Sequence, residues 1–163
     1  MNQLRTQLQR YAQEQPERTL LVDEHCAMSA GQLLAAVHSE VARLAATGAG
    51  RIGLLADSGV AWVVCDLASQ FAGLCLVPIP TFFSDRQIEH VLDSAAVDLL
   101  IVDEANVQSN TGCIEPVAGL AGYYQVALQP QSVPQIPPGT TKITFTSGST
   151  GEPKGVCLSF EQC

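Results

Sequence analysis

Between residues 51 and 102, short apolar runs of strand length alternate with stretches of helical periodicity, and this order narrows the possible folds more than any other feature. Residues 51–56 and 74–78 are mostly apolar and short enough for buried strands, with helix-like sequence at 60–71 between them. A further helix through Ile88, Val91 and Leu92 leads into a third strand at 98–102. Strand, helix, strand, helix, strand predicts an α/β fold, a mostly parallel sheet with flanking helices and right-handed crossovers. Leu54, Leu76, Ile101 and Val102 are then expected in buried strands.

The signals at the helix starts support this reading. Ser29 with Gln32, and Ser84 with Gln87, have the three-residue spacing of a capping box, in which serine and glutamine side chains satisfy each other's backbone N–H groups. Leu33, Leu34, Val37, Val41 and Leu44 then form one apolar face that ends at Gly48. Upstream, Leu4, Leu8, Tyr11 and Ala12 mark an amphipathic first helix stopped near Pro16, and residues 19–23 read as a short strand. Downstream, 106–122 has weak periodicity and reads as loop, and 123–128 as strand. Residues 129–139, with four prolines and a glycine, read as an extended linker. The expected division is a sheet subdomain over 1–128, a linker over 129–139, and a strand–loop–strand segment over 140–163 that opens a following part of the protein.

Composition excludes several classes of function. The 163 residues are 47% apolar and 15% charged, enough for one globular domain with a sizeable core. Sixteen carboxylates against eight Lys and Arg give a net charge of −8, scattered rather than blocked, so neither nucleic acid nor an anionic membrane is an expected partner. Residues 60–79 are apolar enough to suggest a membrane span, but Asp66, Ser69, Gln70 and the prolines at 78 and 80 divide the stretch into helix and strand, and no membrane insertion is expected. The six cysteines (Cys26, Cys65, Cys75, Cys113, Cys157, Cys163) contain no CxxC and follow no secretory leader, so they read as reduced thiols in a cytoplasmic protein. With His25, His38 and His90 they show no metal-ligand spacing, and no metal site is expected within the chain. The only two lysines, Lys142 and Lys154, fall beside a glycine-rich stretch near the C-terminal end, where an anionic ligand would need positive charge.

That stretch carries the chemistry. After the alternating strand pattern of 142–146, Ser147-Gly-Ser-Thr-Gly-Glu-Pro-Lys154-Gly155 packs three glycines, three hydroxyls and a lysine into nine residues before returning to an apolar run at 156–158. Glycines let successive backbone N–H groups turn inward as an anion nest, hydroxyls add donors, and the lysine adds a point charge. A triphosphate suits such a cradle. It is not the P-loop of NTPases, which needs Gly before the lysine, Ser or Thr after it, and a helix beyond. Pro153 and Gly155 flank Lys154 instead, and a strand-length run follows, so the loop is expected to join two strands as a hairpin. Gly48-x-Gly50-x-x-Gly53 matches the dinucleotide fingerprint only as a string, because it lies between a helix and a strand in the reverse order.

The string TSGSTGEPKGV, preceded by KITF, resembles the signature phosphate loop of the adenylate-forming superfamily, which includes acyl-CoA and aryl-CoA synthetases, nonribosomal peptide synthetase adenylation domains and luciferases. RIGLLADSGVAWVVCDLASQFAGLCLVPIP resembles the family's first βαβ unit and DLLIVDE the strand after the next helix, so the likeness spans most of the chain. It implies an AMP-forming acid–thiol ligase of acyl-CoA synthetase type: a carboxylic acid attacks the α-phosphate of ATP, and a thiol, usually that of CoA, then displaces AMP. Carried over position by position, the resemblance assigns phosphate contacts to Thr146, Ser147, Gly148, Ser149, Thr150 and Gly151. Lys154 takes charge neutralisation of the departing pyrophosphate, and Pro153 and Gly155 set the loop's shape.

The family's aromatic-Thr-Glu motif for adenine and magnesium, its ribose-binding Asp, its hinge and its C-terminal catalytic lysine have no counterpart in these residues. The expectation is therefore an N-terminal portion of a larger ligase, inactive by itself, with the magnesium site and most of the acid pocket elsewhere. A stand-alone nucleotide-binding or interaction module, and a purely structural α/β domain, remain alternatives. Without phosphate, Ser147 to Gly155 has little side chain to bury and is expected to be poorly ordered beside an ordered strand at 143–145.

Overall fold

The computed structural model describes residues 3–107, 114–146 and 152–162. Helix α1 (Gln3–Glu14) leads to a small antiparallel hairpin, β1 (Thr19–Val22) with β2 (Ala27–Ser29). Then follow α2 (Ala30–Thr47), β3 (Arg51–Leu55), α3 (Val60–Ala72), β4 (Cys75–Pro78), α4 (Asp85–Ala95) and β5 (Leu99–Asp103). Both capping boxes form: Ser29 with Gln32 opens α2, and Ser84 with Gln87 opens α4. Helix α2 stops at Gly48, whose φ of 72° is the left-handed conformation that glycine adopts without a Cβ penalty.

After a short 3-10 turn at Glu104–Asn106 come β6 (Glu115–Pro116), β7 (Tyr123–Ala127), β8 (Thr140–Thr146) and β9 (Lys154–Ser159). The main sheet has seven strands in the order β6-β7-β5-β3-β4-β8-β9. Its centre is parallel as expected, through the pairs β5–β3, β3–β4 and β4–β8. The flanks are antiparallel, through β6–β7, β7–β5 and β8–β9, which makes the sheet mixed. Residues 140–159, which follow the proline-rich stretch, hydrogen-bond into this same sheet through β4. The short β6 adds a strand to the segment expected as loop; Glu115 and Pro116 pair with Gln125 and Tyr124, a two-residue match that periodicity cannot register.

Alternation along the strands divides the core between the two faces. Ile52, Leu54, Leu76 and Ile101 pack with Leu33, Val37 and Leu44 of α2 and Val64 and Ala68 of α3, while Leu8 of α1 closes the same layer. Leu55, Val77, Leu100 and Val102 belong to the opposite layer with Ile88, Val91 and Ala95 of α4. Gly53 sits close against that second layer: a Cβ there would lie 3.0 Å from Val97 Cγ1 and 3.1 Å from Leu100 Cδ1, so those side chains would have to give by a few tenths of an ångström. Cys65 and Cys75 are buried as small apolar residues, and Cys26, Cys65 and Cys157 are free thiols. Cys113 and Cys163 lie outside the described residues. Burial pushes the Cys65 thiol up, so it stays protonated. No helix among the described residues is long and apolar enough to cross a membrane.

Candidate functional site

Helix α3 follows β3 on one face of the sheet and α4 follows β4 on the other, so the chain divides at the carboxyl ends of these adjacent strands. Such a switch point opens a crevice in α/β sheets, because the two connections leave in opposite directions. A cavity of about 340 Å³ lies there, walled by residues 56–58 after β3, residues 78–82 after β4, Trp62 of α3, and Thr144 and Phe145 of β8. Its wall is largely apolar, with Asp57, Ser58, Thr81 and Thr144 supplying polar groups. Asp57 is held in place from two sides. Its backbone N–H donates to Asp103 Oδ2 at 2.8 Å, and its Oδ1 accepts the Thr81 hydroxyl at 3.0 Å.

The glycine-rich loop departs from this same edge. Strand β8 runs parallel to β4, so Thr146 at its end lies on the side of the sheet where β3 and β4 also finish. The expected hairpin is present: Thr146 pairs with Lys154, Phe145 with Gly155 and Thr144 with Val156. Gly155 leaves room for its neighbours, since a Cβ there would lie 3.0 Å from the Phe145 ring and 3.2 Å from Ile143 Cγ2. Thr146 and Lys154 are both exposed, directly opposite each other where the two arms of the loop enter the ladder. Ser147, Gly148, Ser149, Thr150 and Gly151, together with the expectation about their order, lie outside the described residues.

The other lysine does not share this site. Lys142 Nζ lies 2.8 Å from Asp66 Oδ1 and 5.9 Å from the centre of the Trp62 ring, with both members of the ion pair mostly buried. Its charge is spent on α3. Lys154, to which the resemblance gives the phosphate charge, is the lysine that the hairpin brings to the base of the loop. Sequence reasoning also passed over Asp57, Trp62, Thr81 and Thr144; for Asp57 and Thr81 the available signal was their position just past the carboxyl ends of parallel strands. Among the described residues, no group of three or more His, Cys, Asp or Glu could hold a metal ion.

The loop's returning arm is fastened to α4. Pro153 is buried, its carbonyl lies 3.0 Å from His90 Nε2, and the exposed Glu152 lies 3.8 Å from Arg86. Asp23 reaches from the β1–β2 turn to the start of α3. Its Oδ2 accepts Val60 N at 2.8 Å, and its Oδ1 accepts the N–H groups of His25 and Cys26 at 2.8 Å each. These backbone donors, Val60 first, lower the Asp23 pKa to about 2.

Known proteins agree with this architecture. A family model described as AMP-binding enzyme matches residues 8–163. Syringomycin synthase SyrB1 of Pseudomonas syringae pv. syringae is 33% identical over 154 residues, covering 91% of this chain and 25% of that protein. Tyrocidine synthase 2 of Brevibacillus parabrevis is 28% identical over 152 residues, covering 90% of this chain and 4% of its own length. A bicyclic propanoyl:CoA ligase of Mycobacterium tuberculosis is 26% identical over 192 residues, covering 99% of this chain and 38% of the ligase. This chain therefore spans well under half of these relatives. Among solved structures, the N-terminal domain of FACL13 from Mycobacterium tuberculosis superposes with a TM-score of 0.73 at 20% identity, over 99% of this chain and 45% of that one. The o-succinylbenzoate coenzyme A synthetase MenE of Bacillus subtilis, in complex with AMP, gives 0.69 at 22% identity, over 94% of this chain and 42% of that one. With the family match running over all but the first few residues, this chain belongs to the AMP-binding, adenylate-forming enzymes.

Proposed function

We propose that the complete protein carrying this chain is an AMP-forming ligase that activates a carboxylic acid with ATP and passes the acyl group to a thiol, and that residues 146–154 hold the β and γ phosphates. One observation carries the reading: Thr146 and Lys154 face each other at the carboxyl edge of β8, beside the crevice between β3 and β4. The donors that suit a triphosphate are the hydroxyls of Thr146, Ser147, Ser149 and Thr150 and the backbone N–H groups of Gly148 and Gly151. Lys154 adds a positive charge that counts for more as pyrophosphate leaves than it does in the ground state.

The reaction balances in two steps. A carboxylate oxygen bonds to the α-phosphorus of ATP while the bond to the bridging oxygen breaks, releasing pyrophosphate and leaving an acyl-adenylate. A thiolate then attacks the acyl carbon and AMP departs. Magnesium would accompany the triphosphate and screen its charge; its ligands are assigned to parts of the protein beyond this chain. A relative named as a propanoyl:CoA ligase supports a thiol acceptor, and CoA is the acceptor we propose. Residues 1–163 alone are expected to be inactive, because a phosphate loop without adenine, ribose and acid sites does not align the reactants.

The test is acid-dependent exchange of labelled pyrophosphate into ATP by the complete protein across a panel of carboxylic acids, followed by assay of acyl-thioester formation with CoA. Exchange with at least one acid and formation of its CoA thioester support the proposal. Nucleotide binding without exchange for any acid would leave a binding module. Exchange without transfer to CoA would move the acceptor to a carrier-protein thiol.

A further inference from the structure

Arg86, His90 and Ser94 recur every four residues along α4 and form one stripe on that helix, toward which the returning arm of the glycine-rich loop is drawn. The middle contact is the directed one. His90 Nε2 lies 3.0 Å from the Pro153 carbonyl oxygen, a group that can only accept, so Nε2 carries the hydrogen. Ser94 fits the same assignment: its hydroxyl donates to the His90 carbonyl at 2.5 Å, which leaves its oxygen as a second acceptor 3.3 Å from Nε2. Pro153 is buried, and its carbonyl belongs to the peptide bond whose nitrogen is that of Lys154. That peptide is therefore gripped from two directions, by His90 at its oxygen and by the β8–β9 ladder through the pairing of Lys154 with Thr146.

We propose that His90 is a positioning residue for adenylation: by holding the Pro153 carbonyl it fixes the peptide from which Lys154 projects. This rests on the assignment of Lys154 to the phosphates made above. The physical reason is preorganisation. A lysine on a glycine-rich arm must otherwise be ordered as ATP binds, and an anchor formed beforehand removes part of that entropic cost. The link spans 63 positions in sequence and joins the helix after the cavity wall to the loop after β8. The exposed Arg86–Glu152 contact at 3.8 Å contributes little by comparison, because solvent screens both groups.

The experiment uses the complete protein and pyrophosphate exchange, with kinetics measured separately for ATP and for the carboxylic acid. His90→Phe keeps the ring's bulk and removes the donor, and kcat/KM for ATP should fall about tenfold while KM for the acid stays unchanged. His90→Gln restores a donor of similar reach and should recover most of that loss, which separates the hydrogen bond from packing. In a Lys154→Ala background His90→Phe should cost almost nothing further, because its effect passes through Lys154. Arg86→Ala is the control and should leave ATP kinetics as they are. If Lys154→Ala impairs exchange but His90→Phe does not, the inference fails and the reading of the loop stands. It also fails if His90→Phe raises KM for both substrates alike, or costs its full factor without Lys154. If Lys154→Ala has no effect, the reading of the loop fails first and takes this inference with it.

Discussion

The two ends of the parallel strands differ in what happens to their polar groups. At the amino end every group named here has an internal partner. The Asp98 carboxylate accepts the N–H groups of Gly50 at 2.9 Å and Arg51 at 3.0 Å, and the Arg51 guanidinium donates to the carbonyls of Ala95 at 2.7 Å and Pro134 at 2.8 Å. This knot ties α4, β3, β5 and the proline-rich stretch together. At the carboxyl end Asp57, Ser58, Thr81 and Thr144 border a cavity, and the exposed pair Thr146 and Lys154 stands at the base of the loop. One end uses its polarity on stability; the other keeps polar groups within reach of a ligand. Substitution of the exposed groups at the base of the loop should therefore act on kinetics, and substitution within the amino-end knot on stability.

The largest effect is expected at the carboxyl end. Lys154→Ala in the complete protein should lower the rate of adenylation on the order of 100-fold, the usual loss when a group that stabilises developing charge is removed. Because Lys154 is exposed at a strand end, its unfolding midpoint should stay within about 1 °C of the parent's. A rate loss accompanied by an equal fall in thermal stability would break the contrast, since the residue would then be structural.

The matching test at the amino end is Asp98→Ala, which strips two backbone N–H groups of a charged acceptor and should cost about 2–3 kcal/mol in urea unfolding. The KM values for ATP and acid should not move. If ATP kinetics deteriorate as they do for Lys154→Ala, the two ends are coupled and the division is wrong.

How much of this could be read from the chain depends on how local each signal is. The capping boxes at Ser29 and Ser84, the left-handed stop at Gly48 and the hairpin around the glycine-rich loop are decided by residues within about one turn of each other, and all appear where expected. Neighbours in the sheet are a different matter. Nothing in residues 123–127 says that they run antiparallel beside β5, because an apolar run carries no direction. The partner of Lys142, Asp66, lies on a helix far away in sequence. The cavity escaped notice for the same reason, being assembled from the ends of three strands and one helix. Folding decides these features by packing, and a single sequence read locally does not display packing.

The start of α3 shows the limit most clearly and supplies a smaller test. The residue that precedes it, Gly59, has no side chain to cap the helix; Asp23, from the β1–β2 turn, does so across the fold. The φ of Gly59 is −173°, extended backbone open to any residue, so glycine is needed for room rather than for conformation. A Cβ there would lie 3.1 Å from Asp23 Oδ2, so the carboxylate that holds Val60 N would have to give by a few tenths of an ångström. Gly59→Ala should lower the unfolding midpoint on the order of 3 °C, whereas the same change in an Asp23→Ala background should be close to neutral. An equal loss in both backgrounds would mean that the glycine serves something other than this cap.

The smallest effect, and the one with a definite sign, is the pH dependence that Asp23 brings. Its pKa is lowered from 3.8 to about 2 in the folded protein by the N–H groups of Val60, His25 and Cys26. Between those two values the unfolded chain binds the proton and the folded chain does not, so folding becomes more favourable as pH rises through the interval. The contribution is complete above pH 3.8 and disappears as pH falls toward 2. Other carboxylates titrate in the same range, so the measurement has to be a difference. Asp23→Asn keeps the shape and one acceptor oxygen but cannot ionise. The parent should exceed it in stability at about pH 5, and the gap should close progressively below about pH 4. A gap that stays constant down to the lowest pH at which both variants fold would show that the charge on Asp23 does not hold the start of α3, and that hydrogen-bond geometry alone accounts for the cap.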